Sequence, residues 1–94
     1  MTVVTLLTKP DCHLCDVARE VIDVTLADLP EQVSGAVEVT ETSILDDDAL
    51  YAKWWEKIPV VLIDGELHGH WRVSQDRLAA ALEGSASNAQ RAGA

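Results

Sequence analysis

Residues 3–7, Val-Val-Thr-Leu-Leu, form a short apolar run, continuous rather than alternating, that passes through Thr8-Lys9-Pro10-Asp11 into Cys12-His13-Leu14-Cys15. This junction constrains the fold more than any other stretch. Consecutive apolar positions suit a strand covered on both faces, rather than one facing water. The turn then delivers two cysteines onto the start of a helical pattern, and the chain has no others. A Cys-x-x-Cys between a strand and a helix, in a βαβ setting, reads as a redox dithiol. The same four residues also read as half of a zinc site.

The spacing suits the redox chemistry. A disulfide needs Cα atoms within roughly 4.4 to 6.8 Å, and residues three apart on a helical turn meet that limit. With Cys12 at the helix start, its sulfur faces the unpaired N–H groups of the first turn. Those groups and the helix dipole favour a thiolate, the nucleophilic form. Cys15, one turn inside, is placed to resolve a mixed disulfide. A protonated His13 adds positive charge beside Cys12; Asp11 opposes it, or serves as the helix N-cap.

The rest of the chain follows in order. The spacing of Leu14, Val17, Ala18, Val21, Ile22, Thr25, Leu26 and Leu29 predicts a helix over 14–29. Pro30 and Gly35 close the connection. Residues 36–42 alternate Val37 and Val39 with Glu38, Thr40 and Thr42, as an edge strand does. Ser43 with Asp46 forms a variant capping box for a second helix. That helix ends near Trp55 or Glu56, ahead of Pro59. Trp54 and Trp55 then either pack on the sheet or form an apolar surface near the cysteines.

Val60-Val61-Leu62-Ile63 is a second continuous run and hence a central strand. Asp64-Gly65 turns it into an alternating outer strand, 66–71. Ser74 caps a third helix, with Val73 and Leu78 as its hydrophobic staple, and Gly84 ends it. Residues 1–84 are then one domain, and 85–94 a disordered tail without bulky apolar side chains. A right-handed crossover pairs the first two strands in parallel, and the hairpin pairs the last two. The result is an α/β chain, βαβαββα, with a mixed four-stranded sheet in the order 4-3-1-2 and helices on both faces.

Charge narrows the partners. With 7 Lys and Arg against 16 Asp and Glu, the formal charge is −9. That argues against nucleic acid, which needs a basic face, and against anionic membrane surfaces. No apolar run approaches the 18 or so residues of a membrane span. The N-terminus lacks the basic run of a secretory signal, and one close Cys pair is no structural disulfide framework. The expectation is a cytoplasmic monomer.

This element order, Cys12-x-x-Cys15 at the first helix, and Ile58-Pro59 before the third strand together resemble the thioredoxin fold. The similarity is closest to small bacterial glutaredoxin-like proteins, and it covers residues 1 to about 84. The Lys9-Pro10-Asp11-Cys12-His13-Leu14-Cys15 segment resembles their active-site turn. The resemblance implies a thiol-disulfide oxidoreductase acting on protein or small-molecule disulfides. It implies a cis Ile58-Pro59 bond beside the cysteines, with the Ile58 backbone turned toward the substrate. It implies no bound cofactor, but an external donor of the glutathione or thioredoxin reductase type. Two departures stand out. His13-Leu14 replaces the Pro-Tyr usual between glutaredoxin cysteines. Gly69-His70 stands where their Gly-Gly helps hold glutathione, leaving Lys9 and Lys57 as cations for a substrate. Glutathione is therefore expected to fit poorly. The other reading of the chain is a binding module whose cysteines are inert or, with His68 and His70, complete a zinc site.

Overall fold

The two continuous, mainly apolar runs, residues 3–7 and 60–63, lie in the two central strands. The computed structural model describes the backbone of residues 2–92 and the side chains of residues 2–84. β1 (Thr2–Thr8) pairs in parallel with β2 (Val37–Ser43) and antiparallel with β3 (Val60–Ile63). β3 pairs antiparallel with β4 (Glu66–His70). The sheet order is β2-β1-β3-β4, the expected 4-3-1-2 counted from the other edge.

Alternation along the central strands sends neighbouring side chains to opposite faces. Val4, Leu6 and Val61 meet Ala18 and Ile22 of α1 (His13–Asp28) and Leu78 and Leu82 of α4 (Gln75–Ala92). Leu7 and Val60 pack on the other face with Ile44, Ile58 and Trp54, the last from α3 (Asp48–Trp54). Helices thus cover both faces. The second cluster also contains Cys15, with Cys12 packed against it.

Two tight turns need their glycines. Asp64 and Gly65 both have positive φ, 51° and 85°, as a two-residue hairpin of matching twist requires. Asp64 also ties the turn to β1, donating its N–H to Val3 O at 2.8 Å and accepting the Val3 N–H on Oδ1 at 2.9 Å. A Cβ on Gly35 would lie 2.8 Å from Glu31 O, so that corner excludes other residues.

Four local readings are corrected. The connection between Pro30 and Gly35 is itself a short helix, α2 (Glu31–Ser34). Ser43 accepts the Leu45 N–H and caps a 3-10 turn, Ile44–Asp46, rather than the second helix. Asp47 is extended, and its carboxylate accepts the Ala49 and Leu50 N–H groups at 2.8 and 3.3 Å, so α3 starts after it. Of the three adjacent aspartates it is the middle one, Asp47, that caps. α4 continues through Gly84 to Ala92. One glycine costs a helix about 1 kcal/mol relative to alanine, which the alanines around it can offset. Residues 93 and 94 of the expected tail lie outside the described residues.

Candidate active site

Cys12 is the N-cap of α1, with extended backbone (φ −106°, ψ 104°), and its Sγ accepts the Cys15 N–H at 3.1 Å. That is the bond an N-cap makes to the third residue of its helix, here made by sulfur. Asp11, expected as an alternative cap, instead precedes it in the left-handed region, φ 57°. Asp is among the residues that tolerate this conformation, and there the chain reverses from β1 into α1. Cys12 and Cys15 form a disulfide with Cα atoms 5.2 Å apart. Cys15 is 1% exposed and Cys12 half-buried. One sulfur is therefore reachable and the other enclosed.

Ile58-Pro59 is cis, and the proline is fully buried. Ile58 and Val60, on either side of it, share the cluster that holds Cys15. Sequence reasoning missed what closes this loop. Trp71 donates its backbone N–H to Pro59 O and its indole Nε1–H to Glu56 O, both at 2.8 Å. It does so with φ 63°, an outlying conformation for so bulky a residue. The signal was a tryptophan at the end of the expected strand 66–71, too common a pattern to single out; β4 in fact stops at His70.

The disulfide has two different flanks. Toward β2 lies an open hollow of about 700 Å³ lined by Lys9, Asp11, His13, Asp16, Arg19 and Glu41, with both cysteines. Arg19 is held there by Glu41 and Asp16 at 2.6 and 2.8 Å, which raise its pKa further. Toward β4, a hollow of about 270 Å³ is lined by Leu14, Val17, Trp71, Arg72 and Val73. Leu14, between the cysteines, is 42% exposed and Trp71 54%.

The expected substrate residues are not all together. Lys9 lines the β2-side hollow. Lys57 instead lies over the Trp54 ring, 5.8 Å from its centroid. Trp54 is buried against the sheet, while Trp55 is exposed and stacks on Tyr51. His70 meets Trp71 edge-on at 4.8 Å. Gly69 pairs with Val61, and a Cβ there would make only ordinary contact. His68 sits at a register shift in β4 and lines hollows beside α4. Burial, and then the charge of Arg77, push its pKa below the usual histidine value. Among the described residues no three His, Cys, Asp or Glu side chains converge as a metal-ligand set, so the Cys12, Cys15, His68, His70 combination is not assembled. No described helix is long and apolar enough to cross a membrane.

Comparison with known proteins agrees with this geometry. Residues 3–83 match the family described as Glutaredoxin-like domain. Uncharacterized proteins of Mycobacterium tuberculosis and Mycobacterium bovis are 31% identical over 80 residues, 82% of this chain and 78% of theirs. The X-ray structure of a structural genomics target protein from X. campestris, 30% identical, superposes with a TM-score of 0.59 over 86% of this chain and 96% of its own. A mutant thioredoxin from Halobacterium salinarum, 19% identical, gives 0.59 over 88% of this chain and 73% of its own, which shows the fold alone.

Proposed function

This chain belongs to the Glutaredoxin-like domain family, and on that footing we propose that it is a thiol-disulfide oxidoreductase working through Cys12 and Cys15. The observation that carries the reading is the reachable Cys12 sulfur at the N-cap of α1, backed by an enclosed Cys15. The Cys12 thiolate attacks a substrate disulfide, forming one S–S bond and releasing the first substrate thiolate. The Cys15 thiolate then attacks Cys12 Sγ and displaces the second. Two electrons pass to the substrate, and the protons from the two cysteine thiols are taken up by the released thiolates. The Cys12–Cys15 disulfide remains, to be reset by an external dithiol reductase or a small thiol.

The local geometry supports each role. The Cys15 N–H that reaches Cys12 Sγ, together with the first turn of α1, stabilises negative charge on that sulfur. Pro59 places no N–H donor beside the dithiol, leaving the Ile58 backbone for an incoming extended segment. Asp11 and His13 set the charge around Cys12, and Lys9 supplies a cation on the β2 side. We assign the chain to a reducing compartment, the cytoplasm, as a monomer.

The test is substrate trapping. Cys15→Ser should accumulate mixed disulfides with partners through Cys12, and Cys12→Ser/Cys15→Ser should accumulate none. Equal capture by both variants, or no reduction of any disulfide by the wild type, would overturn the reading.

A further inference from the structure

We propose that the trough running from Leu14 past Trp71 to Arg72 and Arg77 docks an extended acidic segment of a partner protein, the one whose disulfide Cys12 attacks. The proposal rests on the oxidoreductase reading and adds the substrate's chemistry to it.

Two hollows meet to make the trough. The apolar one begins at Leu14, between the two cysteines, and is walled by Val17 and Trp71. Arg72 and Val73 line it and also line the next hollow, which continues to His68, Ser74 and Arg77. A chain held by sulfur at Cys12 thus has an apolar surface beside it and cationic surface beyond. The exposure of Leu14, Val17 and Trp71, 42, 43 and 54%, leaves that surface open to a partner.

Charge selects the occupant. The chain carries 16 Asp and Glu, yet none lines either of these hollows. On the opposite flank of the disulfide, Asp11, Asp16 and Glu41 line the hollow, and two of them already hold Arg19. Arg72 and Arg77 have no such ion pair among the described residues, though Arg77 acts on His68. A chain of net charge −9 repels acidic partners in general, and this basic, carboxylate-free track offsets that repulsion beside the dithiol. An apolar residue near the substrate cysteine would meet Leu14, Val17 and Trp71, and carboxylates further along would meet Arg72 and Arg77.

The experiment uses peptides joined through one cysteine to a small thiol, with an apolar neighbour and then two Glu, two Gln or two Lys, made in both chain directions. Turnover by the full chain and by Arg72→Glu/Arg77→Glu is compared at low and high salt. We expect kcat/KM to rank Glu over Gln over Lys in one direction, with about tenfold between Glu and Gln at low salt. High salt should compress the ranking. The double reversal should invert it, while leaving the Gln peptide and 2-hydroxyethyl disulfide unchanged. An unchanged ranking in the reversed variant, or none in the wild type, would overturn the proposal. So would a glutathione mixed disulfide that responds to the reversal as strongly as the Glu peptide. A wild-type dimer that the reversal makes monomeric would assign the trough to self-association instead. Turnover without a charge ranking removes the acidic track and keeps the oxidoreductase. Arginine-dependent binding of a Cys→Ser Glu peptide, with no disulfide reduced, does the reverse.

Discussion

The backbone N–H of Cys15 points at the Sγ of Cys12 from 3.1 Å, so the buried cysteine contributes a donor to the reachable one. An N–H at the third position of a helix has no carbonyl partner of its own. On reduction, an N–H so placed adds to the helix dipole in favouring negative charge on the Cys12 sulfur. Cys15, 1% exposed, has no comparable access. Iodoacetamide at neutral pH should therefore modify Cys12 at least about tenfold faster than Cys15. Peptide mapping by mass spectrometry reads the two rates. Comparable rates would show that burial and capping do not separate the cysteines.

The sheet was legible because β1 and β3 carry continuous, mainly apolar runs rather than strict alternation, a pattern that suits cover on both faces. The hairpin was legible in Asp64-Gly65, whose two positive φ values few other pairs adopt. The cysteine geometry followed from spacing, whereas the cis Ile58-Pro59 bond came from family resemblance. What escaped were competitions between near-equal local choices. Asp46, Asp47 and Asp48 are all competent caps, and residue type does not rank one above another. Gly84 looked like a stop, but its cost is small beside a run of helix-forming neighbours. The alternation from Leu67 to Trp71 broke at His68, where β4 shifts register against Val61 and Leu62. Trp71 lies outside the strand and bonds the Pro59 loop, which no periodicity could have indicated.

His68 gives a pH prediction. Burial, aided by Arg77, disfavours its charged form in the folded chain, so its pKa lies below the unfolded value of 6.5. Below pH 6.5 the unfolded chain takes up the proton more readily. The histidine's contribution to stability is thus complete above that pH and is lost as pH falls through the lowered folded value. His68→Gln should lose less stability than the wild type between pH 7.5 and 5.5, as measured by urea unfolding at both. Parallel losses would show that other groups dominate the acid response.

Trp71→Phe isolates the indole hydrogen bond. The ring body stays, while the Nε1–H bond to Glu56 O is removed. This bond is exposed, so its loss should cost about 0.5 to 1 kcal/mol. For a domain of this size that lowers Tm by several degrees. Amide exchange at Trp71, whose own N–H bonds Pro59 O, should speed up in the variant. A Tm and an exchange rate equal to wild type would mean that the backbone bond holds the loop unaided.

Glutathione should be a poor substrate, and the wall made by His70 and Trp71 is the reason. A Gly-Gly in this place would let a small anionic peptide approach the backbone closely, since neither residue has a Cβ. Here His70 meets the edge of the Trp71 ring at 4.8 Å, and Trp71 is held by two hydrogen bonds to the Glu56 and Pro59 carbonyls. Moving that ring aside would sacrifice the indole bond, about 0.5 to 1 kcal/mol, together with the edge contact to His70. Arg72 beside it works in the opposite direction, but an exposed ion pair returns only about 0.2 to 1 kcal/mol. The steric term should therefore prevail in the wild type. Removing the imidazole should let charge prevail, so His70→Gly should raise kcat/KM on a glutathione mixed disulfide several-fold. Its turnover of 2-hydroxyethyl disulfide, too small to meet the wall, should stay the same. Efficient wild-type turnover of the glutathione substrate that His70→Gly does not improve would show that the ring pair leaves the approach open.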